Sequence, residues 1–583
     1  MKRVKLIFYT LFLMSNVCFA QEIPGLSYPA DPAQQLHPDI PKGEVTQFEF
    51  DKSTIYPGTK RTIWLYIPAQ YNPEKPACLY VDMDGIQFNA PTVFDYLINK
   101  GEMPVTIGVF ISSGSIMKND NDAIRYNRSH EFDSMNNDFV SFLLTELLPE
   151  IEKKKTIDGR IIRISKDPND HAIAGASSGA ICAFTAAWQR PDAFSRVYSA
   201  IGTYVSMRGG DQYPGLIRKT EPKPIRIFLQ DGYNDAWNPL FGNWYTANLA
   251  MEAALSYAGY EVNHSWGNGG HDGVQASAIF PDVMRWLWKG WPQRVQNGKT
   301  NNNTFPPILQ DGENWEPVNV PIKQAAFVTA NPAGEVLVGD SLGWIQKIDK
   351  NGKAIPVIKS NSEAIASDSN GNVNFIGPGG TGLFTVHGDG KQRVFSKKIS
   401  AKHLLVTAHG IYVTQPAINQ NDNGKIWLIK PDGKIEQVDA GLRFASAITI
   451  SPNRNLLFVA EDNTNWIYSY LIQSDGSLAN KERWYWLHQT DNYGYSRVWD
   501  LAVDNGGNLY AATNAGIQVC DENGRVRAIL QLPNGLITGM CFAGPDFDTL
   551  YVICDGRLYK RKLKVKGVPS WAAPIYPNSI GAG

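Results

Sequence analysis

The sequence predicts a protein of two domains: an α/β domain, in which helices cover a mostly parallel sheet, followed by an all-β propeller of six blades. Strand-like and helix-like segments alternate between residues 44 and 295, as such a sheet requires. From residue 323 onward, short strands and turns repeat about every 40 residues, which is the period of a four-stranded blade. A chain of 583 residues is also too long for one hydrophobic core.

The first 20 residues have a basic start, an apolar stretch and a small residue at Ala20. This pattern predicts a signal peptide cleaved near Ala20, so we expect export to the periplasm or the medium. The apolar stretch is shorter than the roughly 20 residues that a membrane span needs. Cys18 is the alternative signal, that of a lipoprotein, but Val17 is bulkier than such sites prefer. We expect no transmembrane segment in the mature chain.

The composition argues against several classes of protein. A net charge of -1 and a pI near 6.8 exclude the basic surface of a nucleic-acid binder. The cysteines other than Cys18 are scattered and odd in number, which does not indicate a disulfide framework. No Cys/His spacing resembles a zinc site. We therefore expect no nucleic-acid partner and no metal.

The α/β domain is assigned to residues 21–295. Its candidate strands are Arg61–Ile67, Cys78–Asp82, Val105–Ile111, His171–Ala174, Ile225–Gln230 and Glu261–Trp266, and its candidate helices are Asp133–Lys153, Ala180–Trp188 and Asn243–Ala258. Residues 296–322, rich in Asn, Gly and Pro, are interpreted as a linker.

The propeller is assigned to residues 323–571 and a tail to 572–583. Its repeat is an apolar alternation that ends in a charged turn at glycine. The six turn glycines are Gly352, Gly390, Gly433, Gly476, Gly524 and Gly567. A β-sandwich with periodic hairpins is the alternative, but it would not produce six copies at the period of a blade.

One motif indicates chemistry. Gly175-Ala176-Ser177-Ser178-Gly179 lies between a predicted strand and a predicted helix, where a G-x-S-x-G turn exposes a nucleophilic serine. An acidic loop and then the glycine-rich loop around His271 follow, which is the order Ser, acid, His of α/β-hydrolases. Ser177 is the candidate nucleophile and His271 the candidate base. His264 competes less well because it lies within a strand pattern.

Two aspartates compete as the acid that orients the histidine. Asp235 is favoured because it lies further into the loop, whereas Asp231 ends the strand and could cap a turn. For the oxyanion hole, Ser178 follows the nucleophile, and Gly85 follows an early strand where its backbone could approach a carbonyl closely.

Three further residues are candidates for substrate binding. Trp237 and Trp244 flank the acidic loop and could line a sugar or aryl subsite, although core packing explains them equally well. Arg128 belongs to a charged cluster with Arg125, Glu131 and Asp133, for which a structural ion network is the alternative.

The N-terminal half resembles a known family. YVDMDGIQF, NRSHEFDSMNNDFVSFLLTELLPEI, AGASSGA, QDGYND, GNWYTANLAMEAALSYAGY and GNGGHDG are similar to the esterase-D or enterochelin-esterase-like group of α/β-hydrolases, which contains carbohydrate esterase family 1. The resemblance covers about residues 44–292. It implies ester hydrolysis without a metal or other cofactor, with Ser177, Asp235 and His271 as the triad and Gly85 and Ser178 at the oxyanion hole.

The C-terminal repeats resemble the gluconolactonase and SMP-30 propellers, for example in FASAITISPNRNLLFVAEDN. That resemblance implies a divalent metal held by acidic and Asn side chains on the channel axis. This sequence departs from the pattern, because Ser446 and Trp499 stand where the family has oxygen ligands. We therefore expect neither the metal nor lactonase activity.

These observations predict an exported serine esterase that acts on a carbohydrate ester, removing acetyl, feruloyl or methyl substituents of plant cell walls, with a propeller that binds glycan or shapes the mouth of the site. Three alternatives stay open. They are a siderophore esterase, a gluconolactonase-type activity in the propeller, and a glycan-binding protein with a vestigial hydrolase domain.

Overall fold

The computed structural model describes residues 30–577, apart from 120–121, 350–351, 389, 418, 420–421, 489–496 and 533–534. The predicted signal peptide, residues 1–20, and the last six residues of the predicted tail lie outside the described part. Within it, the predicted fold class is confirmed: an α/β domain precedes six four-stranded sheets arranged as a propeller. No helix of the described part is long and apolar enough to cross a membrane.

An eight-stranded sheet forms the centre of the α/β domain, in the order β1-β2-β4-β3-β7-β8-β9-β12. β2 runs antiparallel to both of its neighbours, and the strands from β4 to β12 run parallel. The strands of the domain, including two short hairpins outside this sheet, are β1 (Glu44–Phe50), β2 (Arg61–Ile67), β3 (Cys78–Met83), β4 (Thr106–Ile111), β5 (Ser115–Asn119), β6 (Asp122–Tyr126), β7 (His171–Ala176), β8 (Arg196–Ala200), β9 (Arg226–Gly232), β10 (Trp237–Asn238), β11 (Gly242–Asn243) and β12 (Glu261–Gly267). β3, β4, β7, β8 and β9 are buried along their whole length or nearly so, and apolar residues predominate in β3, β4 and β7.

Helices cover both faces of this sheet. They are α1 (Ala90–Asn99), α2 (Arg128–Phe132), α3 (Asp138–Phe142), α4 (Leu148–Glu152), α5 (Ser178–Gln189), α6 (Tyr213–Lys219), α7 (Trp244–Tyr257) and α8 (Val274–Leu287). A π-helical turn, Leu143–Leu147, joins α3 to α4. All residues of α5 except Gln189 are buried, and its many small side chains let it lie close to the sheet.

The predicted elements of this domain match the structure closely. All six predicted strands coincide with β2, β3, β4, β7, β9 and β12 to within two residues at either end. The predicted helix at 133–153 begins later, at Asp138, because α2 ends before it as a separate turn. Sequence analysis did not identify β1, β8 or the β5–β6 hairpin.

Each propeller blade is a four-stranded antiparallel sheet. The strands, blade by blade, are β14 (Ala325–Ala330), β15 (Val336–Asp340), β16 (Trp344–Ile348), β17 (Ala354–Lys359); β18 (Ala364–Ser367), β19 (Val373–Ile376), β20 (Thr381–Val386), β21 (Gln392–Ser400); β22 (His403–Thr407), β23 (Gly410–Gln415), β24 (Lys425–Ile429), β25 (Ile435–Ala440); β26 (Ala445–Ile450), β27 (Leu456–Glu461), β28 (Trp466–Ile472), β29 (Leu478–Trp486); β30 (Val498–Val503), β31 (Leu509–Thr513), β32 (Gly516–Cys520), β33 (Val526–Leu530); and β34 (Ile537–Ala543), β35 (Thr549–Cys554), β36 (Arg557–Lys562) with β13 (Glu316–Pro317). The first strand of each blade lines a central channel of about 450 Å³.

The last blade is completed by residues that the sequence assigned to the linker. β13 pairs antiparallel with β36 and so becomes the outer strand of the sixth sheet. A short helix in the same segment, α9 (Phe305–Ile308), buries Phe305 and Ile308 against the last two blades. This part of the segment interpreted as a linker therefore belongs to the propeller, because the ring closes by joining its two ends. For the same reason Gly567 is not a turn within the sixth blade, whereas the other five predicted glycines lie between third and fourth strands.

The two domains contact each other at the amino end of β9. Thr220 forms a parallel bridge with Ile529, and the carboxylate of Glu221 accepts two hydrogen bonds of 2.8 Å from the Arg561 guanidinium. Asn302 Nδ2 donates to the carbonyl oxygens of Arg218 and Arg527, on either side of the contact. One cluster of buried apolar side chains continues from the α/β domain into the fourth and fifth blades. The interface is thus a packed core as well as a polar seam.

Breaking the ion pair at this interface tests its contribution. Replacement of Glu221 by Ala leaves the Arg561 guanidinium, only 4% exposed, without its carboxylate. A fully buried pair costs about 3–5 kcal/mol to break in this way. Since Glu221 is partly exposed, we expect about 1–3 kcal/mol, seen as a lower midpoint of urea unfolding. In Glu316→Ala, whose partner Lys560 is exposed, the midpoint should hardly change. Equal shifts in the two variants would contradict the role of this pair.

Candidate active site

The turn between β7 and α5 holds Ser177 in a strained backbone conformation. Its φ of 57° and ψ of -119° are unusual for a residue with a side chain. The turn is tight because Gly175 lies against Gly179: a Cβ at Gly175 would come within 2.4 Å of the Gly179 backbone. The Ser177 N–H donates to the Ala200 carbonyl oxygen at 2.9 Å, which fixes the turn to β8. This geometry presents the hydroxyl at the carboxyl edge of the sheet.

The three predicted residues form one chain of hydrogen bonds. Ser177 Oγ lies 2.8 Å from His271 Nε2, and His271 Nδ1 lies 2.6 Å from Asp235 Oδ1. With the Nδ1 proton facing the carboxylate, Nε2 is free to accept the proton of the serine hydroxyl. The His271 side chain is one-third exposed, whereas that of Asp235 is fully buried.

The geometry separates the two candidate acids. Asp235 contacts the imidazole, whereas Asp231 instead accepts hydrogen bonds from the Gly232 N–H and the Asn248 side chain. Burial alone would raise the pKa of Asp235. Hydrogen bonds from the side chains of His271 and Asp231 and from the Ala236 N–H hold that pKa below its usual value. Asp235 is therefore the carboxylate placed to orient the base.

Trp244 and Thr203 extend this chain in the other direction, and sequence analysis did not identify Thr203. Trp244 Nε1 donates to Thr203 Oγ1 at 3.2 Å, and Thr203 Oγ1 lies 3.2 Å from Ser177 Oγ. With the Trp244 indole as a donor only, the Thr203 hydroxyl can donate to Ser177, whose own proton then faces His271. Thr203 carries no motif in the sequence, because only the fold brings the loop after β8 beside the elbow.

The structure corrects the oxyanion hole predicted at Gly85. The Gly85 N–H donates to the Ile111 carbonyl oxygen at 3.3 Å, so it is used to continue the pairing of β3 with β4. Gly85 is needed for another reason: its φ is 86°, and a Cβ would lie 3.1 Å from the Trp64 ring. The next amide, that of Ile86, donates to none of the described residues. Ser178 is the first residue of α5, where N–H groups have no partner within the helix.

Arg128, predicted as a substrate ligand, is occupied by protein groups. Its Nε and Nη2 donate to the two carboxylate oxygens of Asp84 at 2.9 and 2.7 Å, and its Nη1 donates to Ser178 Oγ at 3.0 Å. The guanidinium thus joins the loop after β3 to the start of α5. Glu131, from the same cluster, forms a buried ion pair with Arg61. These contacts favour the alternative role of this cluster, that of a structural ion network.

The two predicted tryptophans have different surroundings. Trp244 is 6% exposed, and its ring packs edge-on against His271 with 5.6 Å between ring centroids, so it supports the base. Trp237 is 69% exposed, on the loop after β9. Five other exposed apolar side chains belong to segments that come after the carboxyl ends of β3, β4, β9 and β12. Together with Trp237 we call them the apolar rim: Ile86, Tyr126, Tyr233, Leu240 and Val274. Parallel strands bring these loops to one edge of the sheet.

The propeller channel lacks the ligands of the metal that its family resemblance implies. Ser446 Oγ donates to Asp462 Oδ1 at 3.0 Å, and Trp499 presents an indole that cannot act as an oxygen ligand. Asp500 faces His403 at 3.3 Å. In the described ranges, no group of three or more His, Cys, Asp and Glu side chains could hold a metal ion. These donors do not fit a divalent cation that needs several oxygen ligands.

Models of two protein families match this chain, one in the α/β domain and one in the propeller. Residues 54–302 match the model of the family described as "Putative esterase". Residues 397–554 match the SMP-30/Gluconolactonase/LRE-like region. The chain joins an esterase-family domain to a gluconolactonase-type propeller. Both resemblances noted in the sequence are thereby confirmed.

Individual relatives cover only parts of the chain. A gluconolactonase of Zymomonas mobilis is 24% identical over 48% of this chain and 80% of its own length, and a pentonolactonase of Haloferax volcanii is 23% identical over 23% of this chain. The chain spans 45% of that pentonolactonase. Among solved structures, a ferulic acid esterase (18% identity, 42% of this chain, 98% of that one) has a TM-score of 0.34, and an enterobactin esterase of Shigella flexneri (24%, 44% and 63%) has one of 0.33.

Covalent labelling tests the assignment of the nucleophile. An organophosphate that phosphorylates activated serines should add one adduct to the protein at Ser177, because its hydroxyl faces the imidazole of His271. The Ser177→Ala variant should stay unlabelled by intact-protein mass spectrometry. The matched control Ser178→Ala should still be labelled, since that hydroxyl contacts Arg128 instead of the imidazole of His271. An adduct at Ser178, or none in the native protein, would contradict the assignment.

Proposed function

We propose that this protein is an exported serine esterase that hydrolyses ester substituents of cell-wall carbohydrates. The observation that carries the proposal is the continuous hydrogen-bond chain from Ser177 through His271 to Asp235. The match of residues 54–302 to an esterase family supports the reaction class.

The geometry supports a two-step reaction. His271 Nε2 takes the proton of Ser177 Oγ as the oxygen attacks the ester carbon, and the same proton then passes to the departing alcohol. A water molecule repeats the sequence on the acyl-enzyme and regenerates the serine. Asp235 remains a carboxylate throughout and stabilises the imidazolium. The chain's own side chains supply every proton transfer in this scheme.

The amides of Ile86 and Ser178 would stabilise the oxyanion. They belong to two loops that both reach the elbow, one after β3 and one at the start of α5. Arg128 fixes the distance between these loops through Asp84 and Ser178. Donors held in place before the reaction cost no reorganisation as charge develops on the carbonyl oxygen. Arg128 thus acts through the hole and does not itself bind substrate.

The apolar rim supports a substrate with sugar or aromatic groups. Trp237, which is largely exposed, offers a flat face on which a pyranose or aryl ring can lie. An anionic siderophore would instead need free cations at the edge, and the guanidinium of Arg128, which contacts Ser178, is already paired with Asp84. The rim therefore favours neutral carbohydrate esters over a siderophore lactone.

The two ends of the chain complete the proposal. The basic and apolar start of the sequence supports export of the protein. Polysaccharide substrates are found outside the cell. The propeller would bind glycan without taking part in the chemistry. Its contacts with the α/β domain lie at the amino end of β9, whereas Asp235 follows the carboxyl end. This position supports a binding role over one at the mouth of the site.

A substrate panel tests the proposed activity. Purified protein should hydrolyse an aryl acetate and at least one of methyl ferulate, acetylated xylan, acetylated pectin or methyl-esterified pectin. Ser177→Ala should lose nearly all of this activity. EDTA should change neither the rate on the aryl acetate nor the rate on the second substrate, because no step of the proposed mechanism uses a metal. A cyclic catecholate trilactone and a gluconolactone complete the panel. Hydrolysis of the trilactone alone would establish the siderophore alternative, and chelator-sensitive lactonase activity would place chemistry in the propeller.

Replacement of Arg128 by Lys tests the oxyanion clamp. Lysine keeps the charge beside Asp84 but loses the two-pronged contact and the bond to Ser178. We expect kcat on an aryl ester to fall roughly tenfold to hundredfold, with KM nearly unchanged, since an oxyanion-hole defect acts on the transition state. Arg125→Lys, on the exposed β5–β6 hairpin, is the control and should retain activity. A raised KM with unchanged kcat in Arg128→Lys would instead assign Arg128 to substrate binding.

A further inference from the structure

A second buried carboxyl group lies behind the acid of the active site. Asp231, at the end of β9, is fully buried, and its carboxyl group contacts that of Asp235. Its own oxygens accept hydrogen bonds from the Gly232 N–H at 2.6 Å and from Asn248 Nδ2 at 2.7 Å. The proposed esterase mechanism assigns no task to this residue.

Asp235 has one oxygen that lacks a donor. Oδ1 accepts from His271 and from the Ala236 N–H, but Oδ2 is buried and receives no hydrogen bond from any described N–H or hydroxyl group. A buried carboxylate oxygen without a donor is costly. The group that contacts Asp235 from the inner side is the Asp231 carboxyl, which can donate only when it carries a proton.

We propose that Asp231 is a positioning residue, whose carboxyl group keeps a proton and donates it in a hydrogen bond to Oδ2 of Asp235. This inference rests on the proposed esterase function and goes beyond it, by adding a fourth member behind the Ser-His-Asp chain. The bond holds the Asp235 carboxylate so that Oδ1 faces His271 Nδ1. No covalent bond forms or breaks, and the proton remains on Asp231 during turnover.

The surroundings of Asp231 favour this proton. Burial and the neighbouring Asp235 charge raise the pKa of Asp231 to about 9, while the pKa of Asp235 is lowered. The titratable groups that face Asp231 are Asp235 on its own loop and, beyond it, His271. From α7 it meets the neutral amide of Asn248, and from the first turn of α8 the neutral Gln275 donates to its backbone carbonyl oxygen. Two carboxyl groups this close share a single proton and titrate as a pair.

Infrared spectroscopy tests the proton without any need for activity. In the Ser177→Ala background, the difference between Asp231 and Asp231→Asn proteins should contain the carbonyl stretch of a protonated carboxyl group at neutral pH. The band should disappear with a midpoint near pH 9. Absence of that band at neutral pH would overturn the proposal, whether or not the protein proves to be an esterase.

Kinetics test the positioning role. Asparagine keeps an N–H donor at this place, so Asp231→Asn should retain most of the neutral-pH kcat on an aryl ester. Asp231→Ala removes the donor, and we expect a roughly tenfold to hundredfold lower kcat with little change in KM, as for a lost bond to a charged group. Asp235→Asn should be far worse, on the scale of about 10⁴ known for triad acids. Asp272→Asn, which removes an exposed charge beside His271, is the matched control.

The pH profile separates positioning from a merely structural effect. The proton-bearing form of Asp231 is the active one, so the native kcat should decline as pH rises through about 9, when two like charges would displace Asp235. Asp231→Asn should lack this decline. Full activity in Asp231→Ala, or an unchanged alkaline limb in Asp231→Asn, would refute the role. If the native protein hydrolyses no ester, the proposed function is refuted instead. The infrared result would still show whether Asp231 carries a proton.

Discussion

The close approach of Gly175 to Gly179 is the constraint on which the site depends. Only a residue without a Cβ at position 175 can make this contact, and the tight turn that results contains Ser177 in its strained conformation. That conformation lifts the hydroxyl above the sheet and starts α5 with unpaired N–H groups beside it. One steric condition therefore sets the position of both the nucleophile and one oxyanion donor. The hydrogen bond from the Ser177 N–H to β8 and the burial of nearly all of α5 offset the cost of this strained conformation.

Electrostatics complete what the turn begins. The site contains three neighbouring acids with different surroundings: Asp84 is paired with an arginine, Asp235 with an imidazole, and Asp231 with neutral amides and the Asp235 carboxyl group. Asp84 and Asp235 each face a side chain that carries or can take up a positive charge, which stabilises the charged carboxylate. Asp231 has no such partner among the described residues that contact it. The buried position of Asp231 therefore selects the neutral acid there. The same residue type serves as clamp, orienting anion and hydrogen-bond donor because its environment differs.

Much of this arrangement could be predicted from the sequence, for a physical reason. The fold class, six strands and the placement of Ser177, His271 and Asp235 at one sheet edge all follow from local patterns, since parallel strands bring their carboxyl ends together. Long-range contacts could not be predicted. Gly85 was assigned an amide that the sheet ladder uses, and Arg128 and Trp244 were assigned to substrate although protein groups occupy them. Thr203 and β13 carry no local signal, because only closure of the fold gives them partners.

The position of the propeller limits how it can act on the site. Its contacts reach the segment just before β9, and Asp231 and Asp235 come at the far end of that strand. β9 has seven buried residues, roughly 23 Å at about 3.3 Å per residue. The propeller groups at this interface are therefore too far from Asp235 to contact the reacting ester. Any influence on chemistry would have to pass through a rigid, fully packed strand, whereas an influence on polymer capture needs no such path. Glycan binding by the propeller, as proposed above, would therefore be separate from bond cleavage.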